Sequence, residues 1–214
     1  MNKQFSTASM TRKKFAANYL IQFLGVSFIA IWFFQYYNCI DRADWFIENI
    51  LVFLFFIYAI NNYRYFKFSD ISYLCFFFFL FLHIYGAEYA YTKNPLGEWL
   101  QNSYKLWRNP YDRIVHFSFG LFLCYPIRDF LINKVNVKGR WQYILPVEIT
   151  LSLACIFELI EWTVAELTTK ETGETYVATQ GDVWDAHKDI VVAVAGAIIN
   201  MTIVYLINRK KKHL

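Results

Sequence analysis

Between Thr179 and Asp189 the chain reads TQGDVWDAHKD, which places Asp182, Asp185, His187, Lys188 and Asp189 close together. The stretch that follows, IVVAVAGAIINMTIVYLIN, has no charge. Similar groupings recur upstream. RNPYDRIVHFSFG sets Asp112 and His116 at i, i+4, FELIEW sets Glu158 and Glu161 at i, i+3, and HIYGAEYAY carries His83 and Glu88. Side chains three or four apart stack on one helical face. Oxygen-rich sites suit magnesium, calcium or manganese, and imidazole adds affinity for zinc or iron. The expected chemistry is therefore that of a bound divalent metal (Mg, Mn or Zn). The candidate ligands are Asp112, His116, Glu158, Asp182, Asp185 and Asp189, with His83 as a further one. Glu161 is the candidate general base, and Arg113 or Lys188 the candidate partner for a phosphate.

Each residue also has a plainer role open to it. Asn109-Pro110 reads as N-cap plus first helical residue, which would make Asp112 a first-turn acid favoured by the helix dipole. Asp182 reads as an N-cap with Asp185 at N3. In that register Asp182, Asp185 and Asp189 share a face, Asp189 lies about two turns in, and His187 points elsewhere. His83 and Glu88 are five apart and cannot share a face. For His116, Glu158, Glu161 and Asp189, too deep for caps, the competing reading is a buried ion-pair network that fixes helix packing.

The elements that must hold these residues are set by composition. Of 214 residues, 57% are hydrophobic, 21% aromatic and only 18% charged, against ~25% charged in soluble domains. Six apolar segments, roughly 16–37, 45–61, 71–91, 111–133, 142–166 and 186–208, approach or exceed the ~20 residues that span a bilayer. The expectation is an all-α, six-transmembrane-helix bundle forming a single membrane domain over 1–214, with tails 1–14 and 209–214. The first apolar run is too long for a signal peptide and no small-residue cleavage site follows it. The four cysteines are scattered without CxxC spacing, so neither a zinc site nor a disulfide framework is expected. No phosphate loop, nucleophile elbow or HExxH helix occurs. The net charge of +4 comes from basic residues flanking the spans, so lipid rather than nucleic acid is the expected partner. Trp45, Trp99, Trp107, Trp141, Trp162 and Trp184 fall near span ends as an aromatic belt, and CFFFFLFL reads as lipid-facing bulk.

Six spans put both termini on one side. Cytoplasmic termini place 14 of the 21 lysines and arginines on the cytoplasmic side, as the positive-inside rule requires. Only Asp70, Asp129 and Glu148 among the 17 acids then lie toward the cytoplasm, and the rest gather near the outer leaflet. An ionisable group left in lipid costs at least ~2.5–3.5 kcal/mol at the bilayer centre, so these groups should face the bundle interior or a watery cavity.

Several stretches resemble the YjdF-like family of uncharacterised bacterial inner-membrane proteins. They are Arg108-Asn109 with Tyr111-Asp112-Arg113 and His116-Phe117, Tyr125-Pro126 with Arg128-Asp129, and Glu158, Glu161 and Trp162. Thr179-Gln180-Gly181-Asp182, Trp184-Asp185 and Lys188-Asp189 complete the set. His83, Gly86, Pro95, Gly97 and Trp99 match before them, and His187 departs from the glutamine expected there. The Asp-x-x-x-His helix start and the Asp-led last helix are also similar to VanZ-type membrane proteins. The resemblance implies a multi-pass protein of the bacterial inner membrane and no particular activity. The residues themselves point first to a metal-dependent hydrolase or transferase acting on a lipid or envelope substrate. The alternatives are a small ion- or proton-coupled transporter and a structural protein held by buried ion pairs.

Overall fold

The computed structural model describes residues 15–168, 173 and 176–210. The expected tail 1–14, residues 211–214 and part of the loop 167–181 lie outside the described residues. Within them the chain is helical, without strands: α1 (Tyr19–Asn38), α2 (Arg42–Asn62), α3 (Asp70–Glu88), α4 (Pro95–Tyr104), α5 (Tyr111–Asn133), α6 (Trp141–Leu167) and α7 (Asp185–Lys210). All but α4 are long and apolar enough to cross a membrane.

Caps explain where the helices begin. Asn18 accepts from the Ile21 N–H and donates to Asp70 (2.9 Å), which ties the start of α1 to the start of α3. Asp41 accepts from the N–H groups of Ala43 and Asp44. Helix α2 therefore begins at Arg42, ahead of the apolar run that starts at Trp45, and reaches full spanning length. Helix α4 has no counterpart in the hydropathy pattern and arises from local signals. Asn94 accepts from the N–H groups of Leu96 and Gly97, Pro95 occupies the first turn, and Lys105 ends the helix in the left-handed region at φ 52°. These are the standard start and stop devices of a short helix.

Helix α5 is central. It packs on α3, α6 and most extensively on α7; α6 also packs on α7, and α3 carries α1 and α2 on its other side. The α5–α7 contact is backbone to backbone. A Cβ on Gly120 would overlap the carbonyl oxygen of Ala193, and one on Gly196 would overlap that of Phe117. Small residues at such crossings let membrane helices approach closely where no hydrophobic driving force operates.

Much of the outer surface is apolar, with Phe23, Ile57, Ile198 and Leu206 exposed, as lipid contact demands. Trp99, Trp107, Trp141, Trp162 and Trp184 are exposed near helix ends as expected of a belt, but Trp45 is not. It is 3% exposed and packs against Trp32 and Tyr36, because α2 turns this face toward α1 and α3. The phenylalanine run is likewise divided. Phe78 and Phe81 face outward, whereas Phe76, Phe79 and Leu80 line an internal cavity.

Candidate metal centre at the helix ends

Antiparallel packing brings the first turns of α5 and α7 beside the last turns of α3 and α6. Asp112, His116, Glu161, Asp185, Asp189 and His83 are all buried there, and Glu158 is nearly so. The polar residues sort into two layers.

The outer layer is an ion-pair lattice built on arginines. Arg108 is paired with Asp185 and lies 3.6 Å from Asp112. It also donates to the carbonyls of Ala178 (3.2 Å) and Thr179 (3.3 Å). Arg113 donates to Asp182 (2.5 Å) and Asp185 (3.0 Å) and stands 3.8 Å from Asp189. Gln180 clasps the backbone of Asn109 from both sides, accepting from its N–H (2.9 Å) and donating to its C=O (3.0 Å). The RN and TQG motifs are thus halves of one joint. It is made possible by positive φ at Ala178, Gln180 and Gly181, a region in which glycine carries no steric cost.

Two expected caps change character here. Asp182 lies ahead of α7, which begins at Asp185, and so off the helical face shared by Asp185 and Asp189. It accepts from the Trp184 N–H at 3.2 Å, but its stronger partners are Lys188 (2.7 and 2.9 Å) and Arg113. Hydrogen bonds from Lys188 first, and then from Arg113, hold its carboxyl well below the usual carboxylate range. Asn109 accepts from the Tyr111 N–H at 3.0 Å, and Pro110 occupies the boundary position. The later start of α7 also puts Asp189 one turn into the helix rather than two. Lys188 is consumed by Asp182, and neither it nor Arg113 lines the cavity described below. His187 is exposed and packs edge-on against Trp184.

The inner layer is made of acids around one histidine and meets the arginines only at its rim, Arg108 lying 3.6 Å from Asp112 and Arg113 3.8 Å from Asp189. Donor atoms of Asp112, His116 and Asp189 lie within 4.8 Å of one another, as do those of His116, Glu158 and Glu161. His116 is common to both groups. Its Nε2 is 3.5 Å from Asp112 and its Nδ1 3.6 Å from Glu158, both longer than a good direct hydrogen bond. Asp189 Oδ1 and Glu158 Oε1 are buried without any hydrogen-bond donor. Buried carboxylate oxygens left so are costly, and a cation among them would satisfy both. The donor set, mostly carboxylate with one imidazole, fits a divalent ion.

His83 stands apart from these groups. Its Nε2 faces the Glu48 carbonyl (3.1 Å) and its Nδ1 the Tyr91 hydroxyl (2.6 Å). A carbonyl only accepts, so Nε2 carries the hydrogen and Nδ1 accepts from Tyr91. Burial pushes the Tyr91 phenol well above its ordinary range, which keeps it a donor. With both nitrogens engaged, His83 holds Tyr91 and α2 in place rather than offering a lone pair.

A cavity of about 200 Å³ opens beside the inner layer, and Asp112, His116, Glu161 and His83 line it together with Glu48, Tyr91 and Tyr176. Sequence reasoning did not include Glu48, Tyr91, Tyr176 or Arg108 among the site residues. For Glu48 a signal existed: Asp44 and Glu48 stand at i, i+4 in a helix whose other residues from Trp45 to Ile60 are apolar apart from Asn49, and both are buried. Nothing marks the two tyrosines among the 16 in the chain.

These features define the class: a polytopic α-helical membrane protein with acids and histidine buried between its helix ends. The chain belongs to the family described as "Predicted membrane protein (DUF2238)", which matches residues 20–210. It is 30% identical over 167 residues to "Inner membrane protein YjdF" of Escherichia coli (strain K12), with 78% of each chain covered. No solved structure matches it.

Proposed function

We propose that this chain is a protein of the bacterial inner membrane that uses a divalent metal to hydrolyse, or transfer a group from, a lipid or envelope substrate at the outer leaflet. The observation that carries the reading is the cluster of Asp112, His116 and Asp189 beside Glu158 and Glu161. Its donor atoms converge, two carboxylate oxygens in it lack any donor, and it faces a cavity. Asp112, His116 and Asp189 are the ligands, with Glu158 behind His116. A bound divalent ion supplies Lewis acidity and lowers the pKa of bound water. Glu161, within reach of His116 and on the cavity wall, takes the proton from the attacking water. Arg113 is a positioning residue that orients Asp189 from outside the cluster. Asp182 and Asp185, though expected as ligands, serve the arginine lattice instead.

The lattice itself favours a second reading, in which all these charges only lock α5 to α7. Metal analysis separates the two. Protein purified in mild detergent should carry a stoichiometric divalent metal by elemental analysis. Asp112→Asn and Asp189→Asn should lose it, while Asp182→Asn and His187→Gln should keep it. Wild-type protein without metal after growth in metal-replete medium would sink the hydrolytic reading and leave the lattice reading standing.

A further inference from the structure

The cavity is polar at one end only. Seven residues separate Glu48 from Phe55, His83 from Phe76 and Glu161 from Ala154 along their helices, and eleven separate Asp112 from Leu123. At ~1.5 Å per helical residue the cavity therefore reaches about 10–17 Å from the acids toward the middle of the bundle, about half of a ~30 Å hydrocarbon core. Its deep part is walled by phenylalanine, leucine, valine and alanine. A void so lined stays dry and takes apolar guests. A substrate that is polar throughout would thus find hydrogen-bond partners at one end and none along the rest. The volume, at ~30 Å³ per water-sized group, holds roughly seven such groups, enough for a stretch of one slender chain and too few for two.

The walls also suggest a way in. Helix α2 packs on α3 while α6 packs on α5 and α7, and α2 and α6 have little direct packing between them. Both nevertheless contribute to the cavity, α2 through Glu48, Val52 and Phe55, and α6 through Ala154, Phe157 and Glu161. The exposed residues on these two helices include Leu54 and Ile57 on α2 and Ile156 and Leu159 on α6, apolar as lipid contact demands.

We infer that the cavity is the binding site for a single aliphatic chain of a membrane lipid. The chain enters sideways between α2 and α6 and runs inward past Phe79 and Phe157, leaving the lipid's head group beside Asp112, His116 and Glu161. The placement of the head group rests on the hydrolytic reading above; the binding of the chain rests on the cavity. The substrate is then an amphiphile with at least one flexible hydrocarbon tail, not a soluble metabolite.

The probe is a long-chain fatty acid bearing a diazirine near its terminal methyl, photolysed with the purified protein in liposomes and mapped by mass spectrometry. Labels should concentrate on peptides containing Phe79, Leu123 or Phe157, and excess unlabelled fatty acid should compete them away. Ala154→Phe, which fills the cavity from α6, should reduce cavity labelling about tenfold or more, equivalent to ~1.4 kcal/mol, with metal content unchanged. If that variant fails to fold, Val52→Phe fills the opposite wall. Labels confined to outward residues such as Phe23 and Leu206, or undiminished cavity labelling in a folded filled variant, would overturn the inference. Cavity labelling in protein that binds no metal would support chain binding while overturning the hydrolytic reading.

Discussion

At the scale of single residues the two polar layers behave differently because their charges are balanced differently. Asp182 is surrounded by cations, and the bonds from Lys188 and Arg113 depress its pKa in the folded state. A carboxyl with a depressed folded pKa contributes stability that is fully present above its unfolded pKa and is lost as pH falls below it toward the folded value. Wild-type protein in detergent should therefore lose thermal stability as pH drops through ~4. Asp182→Asn should begin less stable at neutral pH and lose less over that interval. Melting temperatures of the two proteins measured across the interval decide the matter; parallel curves would show that the Asp182 pairs contribute nothing to folding. The inner acids meet cations only at longer range, Arg108 at 3.6 Å from Asp112 and Arg113 at 3.8 Å from Asp189, and under the proposed function that contrast favours them as ligands.

At the scale of helices, the Gly120–Gly196 crossing sets the site. Asp112 and His116 lie about two turns and one turn from Gly120 on α5, and Asp185 and Asp189 lie near the start of the α7 that packs there. A side chain at Gly120 must push α7 away and would separate His116 from Asp189. Gly120→Leu should destabilise the protein by at least the ~1–3 kcal/mol of an overpacked core and should lower metal content. Gly25→Leu on α1, where a Cβ would meet nothing within 4 Å, is the control and should melt close to wild type. Equal melting temperatures and equal metal content for Gly120→Leu and wild type would show that the crossing does not position the ligands.

At the scale of the whole molecule, the side of the membrane that the acid-rich end faces determines which substrates can reach it. The distribution of basic residues favours cytoplasmic termini and an outward site. Val183, 86% exposed just before α7, and Lys138, exposed between α5 and α6, lie at opposite ends of the bundle. In a background lacking Cys39, Cys75, Cys124 and Cys155, Val183→Cys should react with an impermeant maleimide on intact spheroplasts and Lys138→Cys should not. The reverse pattern would move the centre to the cytoplasmic leaflet.

The sequence by itself determined the membrane class, the six spans and the residues that would gather at one end. Length and apolar content suffice for the spans, and alternating direction puts every second helix end on the same side. Asp112 with His116, and Glu158 with Glu161, were legible because helical spacing alone stacks them. Tertiary structure decided which acids meet cations. The later start of α7 took Asp182 off the shared face, and Arg108, marked in the sequence only by the family resemblance, folded back onto Asp185. It also decided that α2 joins the site, because the rotation of a helix about its axis is set by packing against its neighbours and leaves little trace in a sequence apolar on nearly all sides. The cavity belongs wholly to that level: it is the space left where α2 and α6 line one void with little direct packing between them, and no residue pattern encodes that.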